Sequence, residues 1–561
     1  MLKFLMRCKG RSIFCFLALT LWQCPCFAQR SNPSLNQRAS ATDQPVPPAI
    51  QRQLDAMKKR IDALEAELKN RTAQAQAAES ATRTSSMPRR STAVSVFAAA
   101  PRNRAASSAH GRPETQSSSL ASAQMNSDAP QVAAGTPKKK KPSEPFAFAD
   151  FTWLNGTSRE KNPPLDTKLF TPEFRVDTSY IYDFNHPKDD TLVGSSESGR
   201  TQEVQLQQLG VGGDFHYHNV RGRLMTQFGM YSTMTPRNDA STARGQWDLA
   251  DAYRYLSEAY GGYHFNVLHG INVDAGIFMS YIGLFSYYNY DNWAYQPSYV
   301  SSNTPWFFNG VRVQIFPTAH LKIEPWFTNG WQSYGRFNNR PGAGMQVLWR
   351  PTGWLSILSN DYGFGQDTLN TPGRTRMHTD NSIEVKYYDD QDKLLDKAAF
   401  SLTGDAGCEY GGGVSCYGTR NGHPKQDFLG FMLYNRFWFD KDRYGVTLGG
   451  GKINNPGRYL VILPPINGAT AASGTPYFTE NPGDPFKAWD ASETFDYMPS
   501  QYITFRWEFD HRAANVPYFA GPGGVTPPGG NTGPPGSVVP GFTPDLRKTE
   551  NRLNMAILVK F

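Results

Sequence analysis

The sequence predicts an all-β fold: a transmembrane antiparallel β-barrel of about 16 strands, preceded by a short α-helical coiled coil and a disordered linker. Three observations predict it. The chain ends on a period-two strand in which Leu553, Met555, Ile557, Val559 and Phe561 alternate with Asn554, Ala556, Leu558 and Lys560. The same alternation recurs from residue 146 onward. No stretch beyond the N-terminus approaches the roughly 20 apolar residues of a membrane helix, and mean hydropathy is negative.

The elements follow in chain order. Lys3, Arg7, Lys9 and Arg11 precede a short apolar run from Ile13 to Trp22, and Cys26-Phe27-Ala28 offers a cleavage point before Gln29. Residues 1–28 read as a secretory signal peptide. Leu21-Trp22-Gln23 before Cys24 is a poor lipoprotein box. A polar linker covers 29–49. In 50–70, Ile50, Leu54, Met57, Ile61, Leu64 and Leu68 are spaced as a heptad seam between charged flanks. So short a helix implies self-association; three strands would suit a homotrimeric barrel, and a lone amphipathic helix is the rival reading. Residues 71–145 are rich in Ala, Ser, Thr, Pro and Arg and end in Lys138-Lys139-Lys140-Lys141, which reads as a disordered basic linker. The lysine run is either a solvated charge run or a contact with anionic cell wall.

The barrel domain covers 146–561. Between Glu173 and Phe184, residues Phe174, Val176, Thr178, Tyr180, Tyr182 and Phe184 share one face, and Arg175, Asp177, Ser179 and Asp183 the other. Residues 502–510 and 310–316 alternate in the same way. An apolar, aromatic face opposite a charged one fits a lipid-facing outside and a wet inside. Short turns are expected at 218–219, 268–270, 318–320, 351–353, 389–392, 440–442 and 498–500. Long connections are expected at 185–202, 233–252, 286–303, 366–376, 405–426, 455–485 and 513–549. Both barrel ends must lie in the periplasm, so the strand number must be even, and Phe486–Tyr497 supplies the sixteenth strand. Pro325 is a misfit in its strand and suggests a bulge.

The distribution of charge weakens a nucleic-acid reading built on the basic pI. The first 143 residues sum to +14 and 144–561 to −6, within a formal net charge of +8. Cys408 and Cys416, the two cysteines beyond the signal peptide, are expected to form a local disulfide in an oxidising compartment; a two-thiol metal site, with His423 the one further ligand nearby in sequence, is the rival reading. The polar faces of the strands place Arg175, Asp177, Arg221, Arg223, Arg312, Lys322, Glu324, Glu384, Arg436, Arg506, Glu508 and Asp510 as pore-lining candidates. Opposite charges across a lumen sort solutes by charge and dipole; equally, such groups can simply pair with one another. No pattern calls for catalysis, a metal or a cofactor. Gly449-Gly450-Gly451-Lys452 lacks phosphate-loop spacing and reads as a Gly-rich strand end, and His216 with His218 makes at most a two-ligand pair.

Five stretches carry a resemblance: Phe151-Thr152-Trp153-Leu154-Asn155-Gly156, residues Asn292–Tyr299 (NWAYQPSY), residues Thr304–Arg312 (TPWFFNGVR), Thr328-Asn329-Gly330-Trp331, and Ser359-Asn360-Asp361-Tyr362-Gly363. On these, the chain over roughly 146–561 resembles the β-barrel porin-2 family of OmpL-like outer-membrane porins. The resemblance implies an outer-membrane barrel and passive solute passage, with no catalytic residues to carry over. The terminal Phe561, with Val559 and Ile557, resembles the assembly signal read by barrel-assembly machinery. The expected partners are outer-membrane lipid, that machinery and two further copies of the chain, with the N-terminal segment in the periplasm. The rival function is a structural anchor that tethers the envelope through its coiled coil.

Overall fold

The computed structural model of the protein describes residues 144–561, apart from short gaps at 240, 242–244, 337–339, 366–372, 419–421, 531–532 and 535, and most of 458–482. Residues 1–111 form a separate unit, in which Lys58, Lys59, Asp62, Ala66 and Lys69 are helical and exposed. The signal peptide, the polar linker, the apolar seam of the coiled coil and the linker up to 143 lie outside the described residues.

Sixteen strands close an antiparallel barrel. They are β1 (Phe170–Asp183), β2 (Val204–Tyr217), β3 (Val220–Thr226), β4 (Leu256–Phe265), β5 (Ile271–Met279), β6 (Phe307–Thr318), β7 (Leu321–Thr328), β8 (Gly342–Thr352), β9 (Leu355–Gly365), β10 (Thr375–Asp389), β11 (Leu395–Tyr410), β12 (Asp427–Phe439), β13 (Tyr444–Pro456), β14 (Pro485–Ser500), β15 (Ile503–Ala514) and, last in the chain, β18 (Thr549–Lys560). The two-residue strands β16 (Phe519–Ala520) and β17 (Leu546–Arg547) pair outside the barrel. Closure joins the first strand to the last in the register Arg175↔Lys560. It leaves no sheet edge to be satisfied by lipid. The Phe561 backbone exchanges hydrogen bonds with Phe174 at 2.6 and 3.0 Å, and their rings lie 5.0 Å apart.

The burial of this barrel is inverted relative to a water-soluble protein. In β12, Leu429, Phe431 and Leu433 are 64%, 53% and 49% exposed; in β15, Arg506 and Glu508 are 2% and 1% exposed. Aromatic contacts form two belts on the outside. Near the short turns lie Phe170 with Phe215 and Tyr444 with Tyr497. Near the long connections lie Phe184 with Phe509 and Phe228 with Tyr255. No helix among the described residues is long and apolar enough to cross a membrane; the strands do the crossing.

Several local expectations need correction. Pro351 and Thr352 belong to β8, and Met498-Pro499-Ser500 to β14, so the turns fall at 353–354 and 501–502. Residues 405–410 continue β11 rather than opening a loop, and a long connection at 329–341 went unread. Pro325 marks no bulge: the β6–β7 register is the same at Arg312↔Trp326 and Ile315↔Ile323. The missing N–H costs a ladder bond but not the alignment. True register shifts sit elsewhere, as between Asp177 and Thr178 against β2, where adjacent Gln207 and Gln208 are both buried. Gly449–Lys452 lie in the middle of β13, not at its end. His218 is in the β2–β3 turn at φ +55°, so it shares no strand face with His216. Cys408 in β11 and Cys416 form a disulfide with a Cα–Cα distance of 5.0 Å, which pins the start of the β11–β12 connection.

Candidate functional site

The barrel interior is the candidate site, and three described segments that enter it hold the wall groups, with Tyr231, Tyr518 and Phe519 of other connections packed on the largest of them. The largest is segment 280–306, between β5 and β6, which is buried along its length. It turns at Asn289–Asp291 and forms one helical turn at Tyr299–Ser302, capped by the Ser298 side chain accepting from Val300 N. A sequence this rich in Tyr, Ser and Asn can fold inside a polar barrel because each ring brings an apolar face and a hydrogen-bonding tip.

The wall holds this segment through charged side chains. The Arg506 guanidinium donates to the carbonyls of Asn289, Asn292 and Ala294 at 3.2, 2.7 and 3.0 Å, and pairs with both oxygens of Asp496 at 2.7 and 2.9 Å. Glu508 accepts from the backbone N–H of Tyr295 and Gln296 at 2.5 and 2.7 Å. Asp177 accepts from Asn289 Nδ2 and the Tyr295 hydroxyl, both at 3.0 Å. Arg175 pairs with Asp291 at 3.0 Å, Arg436 donates to Trp293 O at 3.2 Å, and Asp490 accepts from Ser298 Oγ and Tyr299 N. Charge-assisted bonds of this kind are about twice as strong as neutral ones.

The glycines of β13 make room on the inner wall, Gly451 for the segment and Gly449 for the ring of Tyr434 on β12. A Cβ on Gly451 would stand 2.3 Å from Ser298 Oγ, and one on Gly449 would meet the Tyr434 ring at 2.0 Å. The Gly449–Gly451 run is thus the flat part of the wall, and the cap of the helical turn docks at Gly451.

The second insert is the strap 144–163 at the short-turn end. Trp153 is 1% exposed, and its indole donates to Gly353 O at 3.1 Å. Asn155 joins strap, wall and segment: its N–H donates to Glu384 at 2.8 Å, and its Oδ1 accepts from Trp293 N at 2.8 Å. Gly156 sits at φ +72° with its Cα facing the Leu284 carbonyl, where a Cβ would approach to 2.4 Å. Arg159 donates to the carbonyls of Ser500 and Ile503, and Lys560 pairs with Glu160 at 3.2 Å. Outside the wall, burial raises the Asp150 pKa. Lys161 and Thr152 outweigh this and hold the carboxyl at about 2, so it stays charged near neutrality. The third insert, 191–201, buries Ser195, Ser196, Glu197 and Ser198, and Ser196 accepts from the Trp306 indole at 2.7 Å.

Replacing Asn155 with Ala should loosen the strap by removing one of its two bonds to Trp293, leaving the indole bond to Trp153 O at 3.2 Å and the sheet untouched. The expected outcome is faster proteolysis within 144–163 at an unchanged heat-shifted gel mobility. Equal cleavage rates would show that the link is not holding the strap.

The twelve expected lining residues all lie on inner-wall strand positions. Arg175, Asp177, Arg436, Arg506 and Glu508 touch the inward segment, and Glu384 touches the strap. Arg223 pairs with Glu173, Asp214 and Glu258 at 2.8–3.0 Å. Arg312 pairs with Asp274 at 3.1 Å beneath Tyr260 and Phe278. Arg221 faces the other oxygen of Asp274 at 3.5 Å and is the one only half-buried. Lys322 pairs with Glu324 at 2.5 Å, and Asp510 accepts from Asn554. Sequence reading missed Asp490, Asp496, Asn155 and Asp291. The first two sit on β14, read as a strand without its polar face. The last two lie in or beside the aromatic, Asn-rich stretches that carry the family resemblance. Among the described residues no group of three or more His, Cys, Asp or Glu could hold a metal ion.

A closed, even-stranded barrel with an aromatic-belted apolar outside, a charged inside and a connection folded into its lumen defines an outer-membrane β-barrel of the porin class. The particular family follows from the sequence: the chain belongs to the family described as "Putative beta-barrel porin-2, OmpL-like", whose model matches residues 175–533. No curated protein matches the chain. Among solved structures it is similar to the outer-membrane OmpT of Vibrio cholerae, at 10% identity and TM-score 0.40, covering 71% of this chain and 99% of that one. It is also similar to the outer membrane channel DcaP of Acinetobacter baumannii (13% identity, TM-score 0.39, 71% and 99% covered). A third is an anion-selective porin from Comamonas acidovorans (11% identity, TM-score 0.40, 70% and 99% covered).

Proposed function

We propose that this protein passes small hydrophilic solutes or ions by passive diffusion through the outer membrane, along a wet path between segment 280–306 and the charged wall. The observation that carries this reading is the set of buried wall groups without protein partners. Among the described residues, the three guanidinium nitrogens of Arg512, Asp380 Oδ2, Asp183 Oδ2 and Gln208 Nε2 are all buried and have no hydrogen-bond partner. Buried polar atoms are costly unless water or a ligand meets them, so they support a hydrated interior. Passage needs no chemical step, and the reading is not that of an enzyme. The short-turn side, where β1 begins and β18 ends, is then periplasmic and carries the N-terminal segment, with three copies associated through residues 50–70. Phe561, Val559 and Ile557 would be read by the assembly machinery.

One observation favours the anchor as a second reading: segment 280–306, folded into the lumen, is buried along its whole length. Single-channel recording in a planar bilayer under a salt gradient separates the two. Discrete steps are expected, with closures in threes for a trimer and a reversal potential that reports ion preference. A silent membrane, with folding verified by heat-shifted gel mobility, would overturn the porin reading in favour of the anchor.

A further inference from the structure

Arg512 differs from the other arginines of the wall. It lies on β15 two residues from the long-connection end and is 1% exposed. Arg506, Arg175, Arg223 and Arg436 each bond a carboxylate or carbonyl. The guanidinium of Arg512 bonds neither among the described residues: it rests on the Tyr299 ring at 4.1 Å, with Phe519 at 5.9 Å, and none of its three nitrogens has a hydrogen-bond partner there. Its cross-strand neighbours are Asp490 on β14 and Glu550 on β18. Asp490 is committed to Ser298 and Tyr299 of the inward segment. Glu550 presents Oε2 to Arg552 at 3.0 Å, and its Oε1 has no hydrogen-bond partner among the described residues.

The wall therefore holds, on paired strands, a planar fork of unused donors beside an unused carboxylate oxygen. A stacked guanidinium keeps its edge free for a bidentate carboxylate, and the carboxylate beside it takes an ammonium. A simple anion would meet the repulsion of Asp490 and Glu550, and a simple cation that of Arg512. We propose that Arg512 and Glu550 form a binding site for zwitterionic solutes of the α-amino-acid class, the carboxylate on Arg512 and the ammonium on Glu550. This rests on the porin reading and names a solute class for it. Tyr299 ties the site to the inward segment, so a solute held there sits between that segment and the wall.

The test is equilibrium binding of L-alanine to the purified full chain, followed by saturation-transfer NMR, with propionate, alaninamide and inorganic phosphate as comparisons. L-alanine should bind at least tenfold tighter than any of the three. Arg512→Gln should weaken it at least tenfold, and Arg512→Lys, which keeps the buried charge without the fork, should fall between. Glu550→Gln should abolish the preference for L-alanine over propionate. Equal binding to wild type and Arg512→Gln, both with native heat-shifted mobility, would overturn the site. Phosphate or propionate binding as tightly as L-alanine would overturn its zwitterion preference. Binding does not require conduction, so a silent bilayer with intact binding would fail the porin reading and not the site.

Discussion

Replacing residues 286–303 with a short Gly-Ser turn is expected to raise single-channel conductance several-fold while leaving the barrel folded. The strand ladder contains none of these residues, so closure from Arg175↔Lys560 round the ring does not depend on them. What the deletion removes is the filling. Sixteen strands enclose a lumen wide enough for an aqueous channel, and here the segment occupies it with Tyr288, Trp293, Tyr295 and Tyr299, all buried. The wall charges that clamp the segment would then face water, where ionised side chains are well solvated. A lipid-facing charge would have no such refuge. Conductance in a planar bilayer, with heat-shifted mobility as the folding control, checks this. An unchanged step size would mean that the path does not run beside this segment.

Arg506→Ala is expected to release the segment without removing it. The substitution deletes three bonds to backbone carbonyls and the two-point contact with Asp496, which keeps only Arg436 at 2.8 Å. Breaking a buried pair by removing one partner costs about 3–5 kcal/mol, because the other charge stays buried; water reaching the vacated space lowers that figure. The expected outcome is a lower midpoint for loss of near-ultraviolet circular dichroism, together with larger and noisier open-channel current. Arg506→Lys should restore part of the stability and less of the quiet current. It keeps the charge, but a single ammonium cannot reach three carbonyls and grip a carboxylate at two points. Wild-type noise in Arg506→Ala would show that Glu508, Asp177 and Asp490 hold the segment unaided.

Much of the barrel was legible because its signals are local. Alternation in 173–184 and 502–510 fixes which side chains of β1 and β15 face in, since a strand puts neighbours on opposite faces whatever it pairs with. The short turns at 218–219 and 440–442 were legible for the same reason. The boundary errors at 351–352, 405–410 and 498–500 arise where the strand outruns its turn residues. Pro325 misled because a proline in a ladder loses one bond, which the strands on either side can bear without shifting register.

The interior was not legible, and the reason is distance. Segment 280–306 reads in isolation as one more long outer connection, although it is richer in Tyr and Ser than the connection before it. Its inward path depends on Arg506, Glu508 and Asp490, roughly two hundred residues later, and on glycines of β13 whose value is the space beside them. The twelve charged residues could be assigned to the inner face, but not to the partners that occupy them. The sequence by itself determined a closed, even-stranded membrane barrel with a charged inside, because lipid imposes alternation on each strand separately. Only the tertiary structure decided what fills that inside, because the clamps form between groups that closure of the ring brings together.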